Sequence, residues 1–188
     1  MPPLSRYAVA ALRGRFESRA RSMNNFTAAL AAIHRLKTEG VVKDYAIGGA
    51  MALVFWSEPI PTFDLDVFVR LPSKGILVSL GPIYDWAHRN NYREEAEHIL
   101  VSGIPVQFIP AQNAMAEEAI ATAAELDFEG QLVRVIRPEY LIALYLEPGA
   151  RTHKRLERVA ALLEEGSVDR ELLDTVLARY SLKLPIYE

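Results

Sequence analysis

The chain predicts an α+β domain, a small mixed sheet with flanking helices followed by a helical C-terminal region. Three observations predict it. Over residues 41–137 short strand-like runs and helical runs mix irregularly, without the strict βα alternation that would favour a Rossmann sheet. From Pro138 onward the apolar periodicity is helical throughout. With 188 residues, 51% of them hydrophobic and 24% charged, the chain is long enough for one sizeable core, or for one domain with a helical appendage.

The elements follow in order. Residues 1–22 form a basic segment, in which Arg6, Arg13, Arg15, Arg19 and Arg21 stand against one acid, Glu17. A frayed or amphipathic helix is the expected reading, and a transit peptide is the alternative. The apolar run Tyr7–Leu12 is too short for a secretory signal. Residues 23–137 are expected to be the α/β core. Phe26, Leu30, Ile33 and Leu36 recur at helical spacing, predicting a helix from Asn24 to Glu39 with Gly40 as its C-cap. Val41–Ile47 contains a short strand, and Gly48-Gly49 opens an apolar helix to Trp56. A Pro-containing turn at 58–62 leads to the strand Leu65–Val69.

A helix is expected between Ser73 and Asn90, capped by Ser73 and kinked or broken by Pro82. His98–Val101 and Ile104–Ile109 read as strands joined by a Ser102-Gly103 hairpin turn. Ala114–Glu125, rich in Ala and Glu, reads as a helix, and Leu132–Ile136 as a strand. Residues 138–188 are the helical region. Its helices run Glu139–Leu146, Thr152–Glu164 and Asp169–Tyr180, with Pro138 in a first turn and Gly149 and Gly166 as punctuation. Phe26, Trp56 and Trp86 are expected in the core.

Composition narrows the function classes. A net charge of −3 and a pI near 5.9 favour neither a nucleic-acid coat protein nor a membrane-surface binder. No apolar run approaches the roughly 18 residues of a membrane helix. Cysteine is absent, which removes disulfides, cysteine-containing zinc sites and cysteine nucleophiles. A reducing, cytoplasmic setting is compatible. His34, His88, His98 and His153 show no ligand spacing, and neither a P-loop nor a G-x-S-x-G elbow is present.

The chemistry-bearing stretch is Ile47-Gly48-Gly49-Ala50, then thirteen residues, then Asp64-Leu65-Asp66-Val67-Phe68-Val69. Side chains alternate along a strand, so Asp64 and Asp66 project from one face. Two like charges so close repel each other unless a cation sits between them, and an oxygen-rich pair suits Mg²⁺. Gly-Gly before a helix lets the backbone approach a ligand, and helix-start N–H groups favour anions such as phosphate. Together these parts are the minimum equipment for phosphoryl or nucleotidyl transfer.

This segment resembles the signature of the polymerase-β-like nucleotidyltransferase superfamily. Within it, the chain resembles the small bacterial AbiEii-like and minimal nucleotidyltransferase proteins of toxin–antitoxin systems. The resemblance spans roughly Tyr45 to Leu177, and its sharp part is Ile47–Val69. It implies that Gly48 and Gly49 hold a nucleoside triphosphate and that Asp64 and Asp66 bind Mg²⁺. It further implies an RNA or protein hydroxyl as acceptor, and a cognate toxin or antitoxin protein as partner.

Two departures qualify it. The resemblance calls for a third carboxylate within Val106-Gln107-Phe108, where this chain has Gln107, which cannot act as a base. If Ser102-Gly103 is a two-residue turn, His98 faces Gln107 across the hairpin and is a candidate base or ligand. Glu97 points to the opposite face. Related enzymes also carry a lysine where this chain has Tyr145. The basic cluster Arg151, His153, Lys154 and Arg155 lacks the usual acid, and reads as a solvated helix face in preference to a phosphate or RNA site. Three readings stay open: an Mg²⁺-dependent nucleotidyltransferase, a catalytically weak regulatory or partner-binding module, and a structural domain whose D-x-D is a solvated edge.

Overall fold

The computed structural model describes residues 20–57, 64–72, 79–148, 152–164 and 168–185, and the side chains of 20–23 are not part of that description. The Arg-rich segment up to Arg19, the turn at 58–62, the Ser73 cap, Gly149, Arg151 and Gly166 therefore lie outside the described residues.

Helix α1 (Ala20–Thr38) leads to β1 (Asp44–Ile47), α2 (Gly49–Trp56), β2 (Leu65–Arg70) and α3 (Gly81–Arg89). Strands β3 (Arg93–Glu95), β4 (His98–Val101) and β5 (Ile104–Pro110) follow, then α4 (Ala114–Ala121), β6 (Ala124–Phe128) and β7 (Gln131–Val135). Helices α5 (Pro138–Leu146), α6 (His153–Glu164) and α7 (Arg170–Arg179) complete the described chain. The strands form one seven-stranded sheet in the order β3-β4-β5-β2-β1-β7-β6. It is mixed: β2 runs parallel to β5 and β1 parallel to β7, while the remaining neighbours are antiparallel.

The sequence patterns account for most of this. Strand β2 alternates buried Leu65, Val67 and Val69 with half-buried Asp66, Phe68 and Arg70. Both α2 and α5 are apolar all round and are buried accordingly, α2 over Ala50–Phe55 and α5 along its whole length. Helix α5 packs against α6 and α7, and Val159, Leu162, Leu173 and Val176 join the apolar cluster that holds Phe26, Ile47 and Trp86. Trp56 is only partly buried, and its indole N–H donates to the Ile136 carbonyl at 2.8 Å.

Ser102 and Gly103 have φ of 52° and 82°, the left-handed pair that a two-residue hairpin turn demands. Val101 faces Ile104 and Ile99 faces Val106.

Pro82 stands in the first turn of α3, where its missing N–H costs nothing, and Ser79 and Leu80 before it are not helical, so it marks a break. One expectation is corrected. The Ala-rich helix stops at Ala121 rather than Glu125. Strand β6 follows it, paired to β7 through a tight turn at Glu129 (φ 50°) and Gly130 (φ 78°). Strand β3 was not expected, because its residues are all exposed and carry no apolar alternation.

One buried cation ties β7 to its neighbours. Arg134 on β7 is 8% exposed and donates to the carbonyls of Tyr45 and Ile120, at 3.2 and 2.9 Å. It also pairs with Asp44 at 3.3 Å and Glu125 at 2.8 Å. A buried guanidinium is stable only when its donors are satisfied, and here they tie β1, β6 and α4 to β7. Strand β1 is thereby held where its end delivers Gly48 and Gly49.

Candidate active site

The polypeptide turns from β1 into α2 at Gly48-Gly49, and both glycines are required by contact. Gly49 has φ of 57°, and a Cβ there would lie 1.6 Å from Asp66 Oδ2. A Cβ on Gly48 would lie 2.4 Å from the Phe68 ring and 3.2 Å from the Ile136 side chain. The Gly48 N–H donates to the Asp66 carbonyl at 2.9 Å, so the turn is stitched to β2 at the acidic residue itself. No side chain caps α2 at Gly48. The Asp66 carboxylate thus rests against backbone at the start of a helix.

Asp64 immediately precedes β2 and Asp66 is its second residue, and the two carboxylates face the same cavity. The parallel register with β5 sets Asp66 beside Gln107. All three line a cavity of about 470 Å³ that also takes in Gly49 and Ala50. Burial pushes the Asp66 carboxyl above the usual carboxylate range, and the charge of Asp64 pushes it further. Arg158, His98 and Arg155 pull it back in decreasing order. His98 is therefore electrostatically coupled to Asp66, and the hairpin register sets it next in line opposite Gln107, although it is not among the residues lining the cavity.

The far wall of the cavity comes from α5 and α6. Leu141, Leu144 and Tyr145 supply an apolar surface, and Lys154, Arg155 and Arg158 supply three cations. The basic cluster is thus split. Exposed Lys154 and half-buried Arg155 line the cavity, while His153 is largely exposed beside Glu157 at 3.2 Å. Arg158 had not been singled out. The available signal was spacing, since Lys154 and Arg158 are four apart and share one helix face.

Tyr145 is 5% exposed, and burial raises its hydroxyl far above the ordinary tyrosine range, so it stays a neutral donor. The Arg158 guanidinium lies over its ring, 5.7 Å from the centroid, in cation–π geometry.

The donor set can be tested for Mg²⁺. Among the described residues no group of three or more His, Cys, Asp or Glu side chains could enclose an ion. Mg²⁺ does not ask for such a cage, because it is usually held by one or two carboxylates with waters and substrate phosphates completing its shell. Asp64 and Asp66 fit that requirement, with the Gln107 amide as a neutral neighbour. Burial first and the charge of Asp64 second disfavour the ionised Asp66 carboxyl, and a divalent cation would offset both.

Solved structures place the fold. A crystal structure of an antigenic nucleotidyltransferase-like protein from Paracoccidioides brasiliensis superposes with a TM-score of 0.51 at 16% identity, over 96% of this chain and 89% of that one. A solution structure of the antibiotic-resistance factor ANT(2'')-Ia gives 0.49 at 18% identity, over 84% of this chain and 92% of that one. ANT(2'')-Ia in complex with adenylyl-2''-tobramycin gives 0.48 at 19% identity, over 82% of this chain and 93% of that one. No family model and no curated protein matches the chain. The fold is nucleotidyltransferase-like, a mixed seven-stranded sheet with flanking helices. Among the described residues no helix is long and apolar enough to cross a membrane.

Proposed function

We propose that the chain is an Mg²⁺-dependent nucleotidyltransferase that moves an NMP from an NTP to a protein or RNA hydroxyl. The observation that carries this reading is one cavity with two carboxylates on its floor, a two-glycine backbone turn at its lip and three cations on its wall. Asp64 and Asp66 hold the metal. Gly48 and Gly49 let phosphate oxygens approach the backbone at the start of α2. Lys154 and Arg155 offset the charge of the triphosphate or of an RNA acceptor. When bound, Mg²⁺ would neutralise phosphate charge and favour ionisation of the acceptor hydroxyl. Gln107 orients a neighbouring group by hydrogen bonding and removes no proton. His98 is electrostatically coupled to Asp66 and is the remaining candidate base.

A second reading is motivated by Gln107 and Tyr145, which stand where an acid and a lysine would be expected. On that reading the domain is a catalytically weak regulatory or partner-binding module. A cytoplasmic toxin–antitoxin setting suits either and rests on the resemblance of Ile47–Val69.

The test is incubation with Mg²⁺, each α-labelled NTP, and a pool of RNA and cell protein, with Asp64→Ala as control. Asp64-dependent transfer supports the enzyme and identifies base and acceptor class together. Metal-dependent nucleotide binding without transfer, or stable co-purification with a second small protein, favours the module. Equal NTP affinity in the wild type and Asp66→Ala would count against the enzyme.

A further inference from the structure

We propose that the cavity floor holds one divalent cation and not two, and that the neutral side chain of Gln107 sets that limit. The first ion rests on the reading above; the count is argued from the donors of the floor.

Metal-assisted displacement at phosphorus is run by one ion, or by two about 3.5–4 Å apart. Two dications that close repel each other, and only anionic oxygens set between and around them hold both. The floor has few. Asp64 and Asp66 lie two residues apart in extended chain and face one cavity, so a single ion engages both. Asp66 has a neighbour on each side in the sheet order β5-β2-β1. On the β1 side the Gly49 backbone fills the space, since a Cβ there would lie 1.6 Å from Asp66 Oδ2. On the β5 side stands half-buried Gln107, in register with Asp66 and lining the same cavity. Adjacent strands are about 4.8 Å apart, so Gln107 is the side chain that a second ion on that side would meet. Its amide offers one neutral oxygen, and its NH2 group carries donors that a cation repels.

No other residue replaces the missing anion. Glu147, the remaining acid of the lining, is the C-cap of α5 on the far wall and accepts a hydrogen bond from Asn113 at 2.6 Å. His98 is outside the lining, and an imidazole suits softer ions than Mg²⁺. Among the described residues no group of three or more His, Cys, Asp or Glu side chains could hold an ion. Charge points the same way. The three acids of the lining, Asp64, Asp66 and Glu147, already face three cations, Lys154, Arg155 and Arg158. A first dication is drawn to the Asp64–Asp66 pair, and a second would enter where that charge is already matched. Gln107→Glu inverts the argument, because it keeps the shape of the side chain and adds one negative charge beside Asp66.

The probes are Mn²⁺, which takes the same oxygen ligands as Mg²⁺, and the non-hydrolysable α,β-methylene analogues of ATP, CTP, GTP and UTP, tried in turn with the full chain in excess. Electron paramagnetic resonance counts the Mn²⁺ bound per nucleotide and shows by spin coupling whether two ions lie side by side. Wild type is expected to bind one uncoupled ion, and Asp64→Asn to weaken the complex at least ~10-fold. Gln107→Glu is expected to bind a coupled pair, a gain from one ion to two. Circular dichroism confirms folding, and Gln107→Asp carries this arm if Gln107→Glu does not fold. A coupled pair in wild type, or one uncoupled ion in Gln107→Glu, overturns the proposal. Absence of any Asp64-dependent Mn²⁺ binding overturns it together with the metal reading. The two proposals separate cleanly. One ion with no label transfer keeps the count and sinks the transferase. A coupled pair in wild type with Asp64-dependent transfer does the reverse.

Discussion

The floor and the wall of the cavity are built by different physics. The floor is local. Asp64, Asp66 and the two glycines sit on β1, the start of α2 and β2, and their mutual placement follows from strand alternation and one tight backbone turn. It carries negative charge under strain, with Asp66 pushed up by burial and by Asp64. The wall is remote. Tyr145, Lys154, Arg155 and Arg158 reach the same cavity only because a wholly buried α5 packs α6 against the domain. The floor is therefore expected to be intolerant of any change in shape, and the wall to be graded, each cation offsetting part of a shared charge.

The largest effect falls on the floor. Gly49→Ala places a Cβ 1.6 Å from Asp66 Oδ2 at a φ of 57°. The left-handed backbone alone costs a non-glycine residue roughly 1–2 kcal/mol, and forcing the carboxylate aside adds overpacking of about 1–3 kcal/mol. Urea unfolding should show a loss of about 2–5 kcal/mol, and nucleotidyl transfer should fall at least ~100-fold because the metal-binding carboxylate has moved. Gly130→Ala is the internal control. Its φ is 78°, but a Cβ there meets nothing within 4 Å, so only the backbone cost should appear and transfer should be unchanged. Equal losses in the two variants would mean that backbone strain, and not the approach to Asp66, explains Gly49.

This difference between floor and wall also decides what the sequence could reveal. Asp64 and Asp66 were legible because a two-residue period leaves no choice of face, and the Ser102-Gly103 turn was legible because few pairs accept two left-handed residues. The elements near the site were legible for the same local reasons. The order β5-β2-β1-β7 was not, since pairing between distant strands leaves no mark in either one. Strand β6 hid behind the helical propensity of Ala123, Ala124 and Glu125, which pairing to β7 overrides. Lys154 and Arg155 resembled a solvated face because a basic helix looks the same in sequence whether it faces water or a cavity. Arg158, one turn further along that face, was missed with them.

The second effect is a trade of activity for stability. A carboxyl whose folded pKa is raised binds its proton more tightly in the folded state, so folding is penalised once that proton is lost. The penalty is absent below the unfolded pKa, grows as pH rises from about 4, and is complete above the raised folded value. Asp66→Asn removes the ionisable group. In EDTA its urea midpoint should exceed that of wild type at pH 7, and the gap should close as pH falls toward 4. Transfer should be lost. Mg²⁺ with nucleotide should then stabilise wild type by about 2.7 kcal/mol at a hundred times its Kd, and leave Asp66→Asn unmoved. An advantage for Asp66→Asn that survives Mg²⁺ and nucleotide would make the pair a solvated edge and no metal site.

The smallest effect measures whether floor and wall share one field. The Asp66 carboxyl can be titrated directly by carbon NMR, and each neighbour should move it with a defined sign. Asp64→Asn removes a like charge and should lower the Asp66 pKa. Arg158→Met removes the strongest of the attracting charges and should raise it, His98→Gln should raise it by less, and Arg155→Met by least. The ranking matters more than the sizes, because screening weakens every charge that faces open solvent. Should His98→Gln outrank Arg158→Met, the hairpin histidine and not the helical wall would be the principal counter-charge of the floor, and His98 would be the first residue to examine as the base that Gln107 cannot be. Should neither move Asp66, the cations of α6 would lie too far from the carboxylates to bridge a single ligand, and the cavity would have to be divided into two sites.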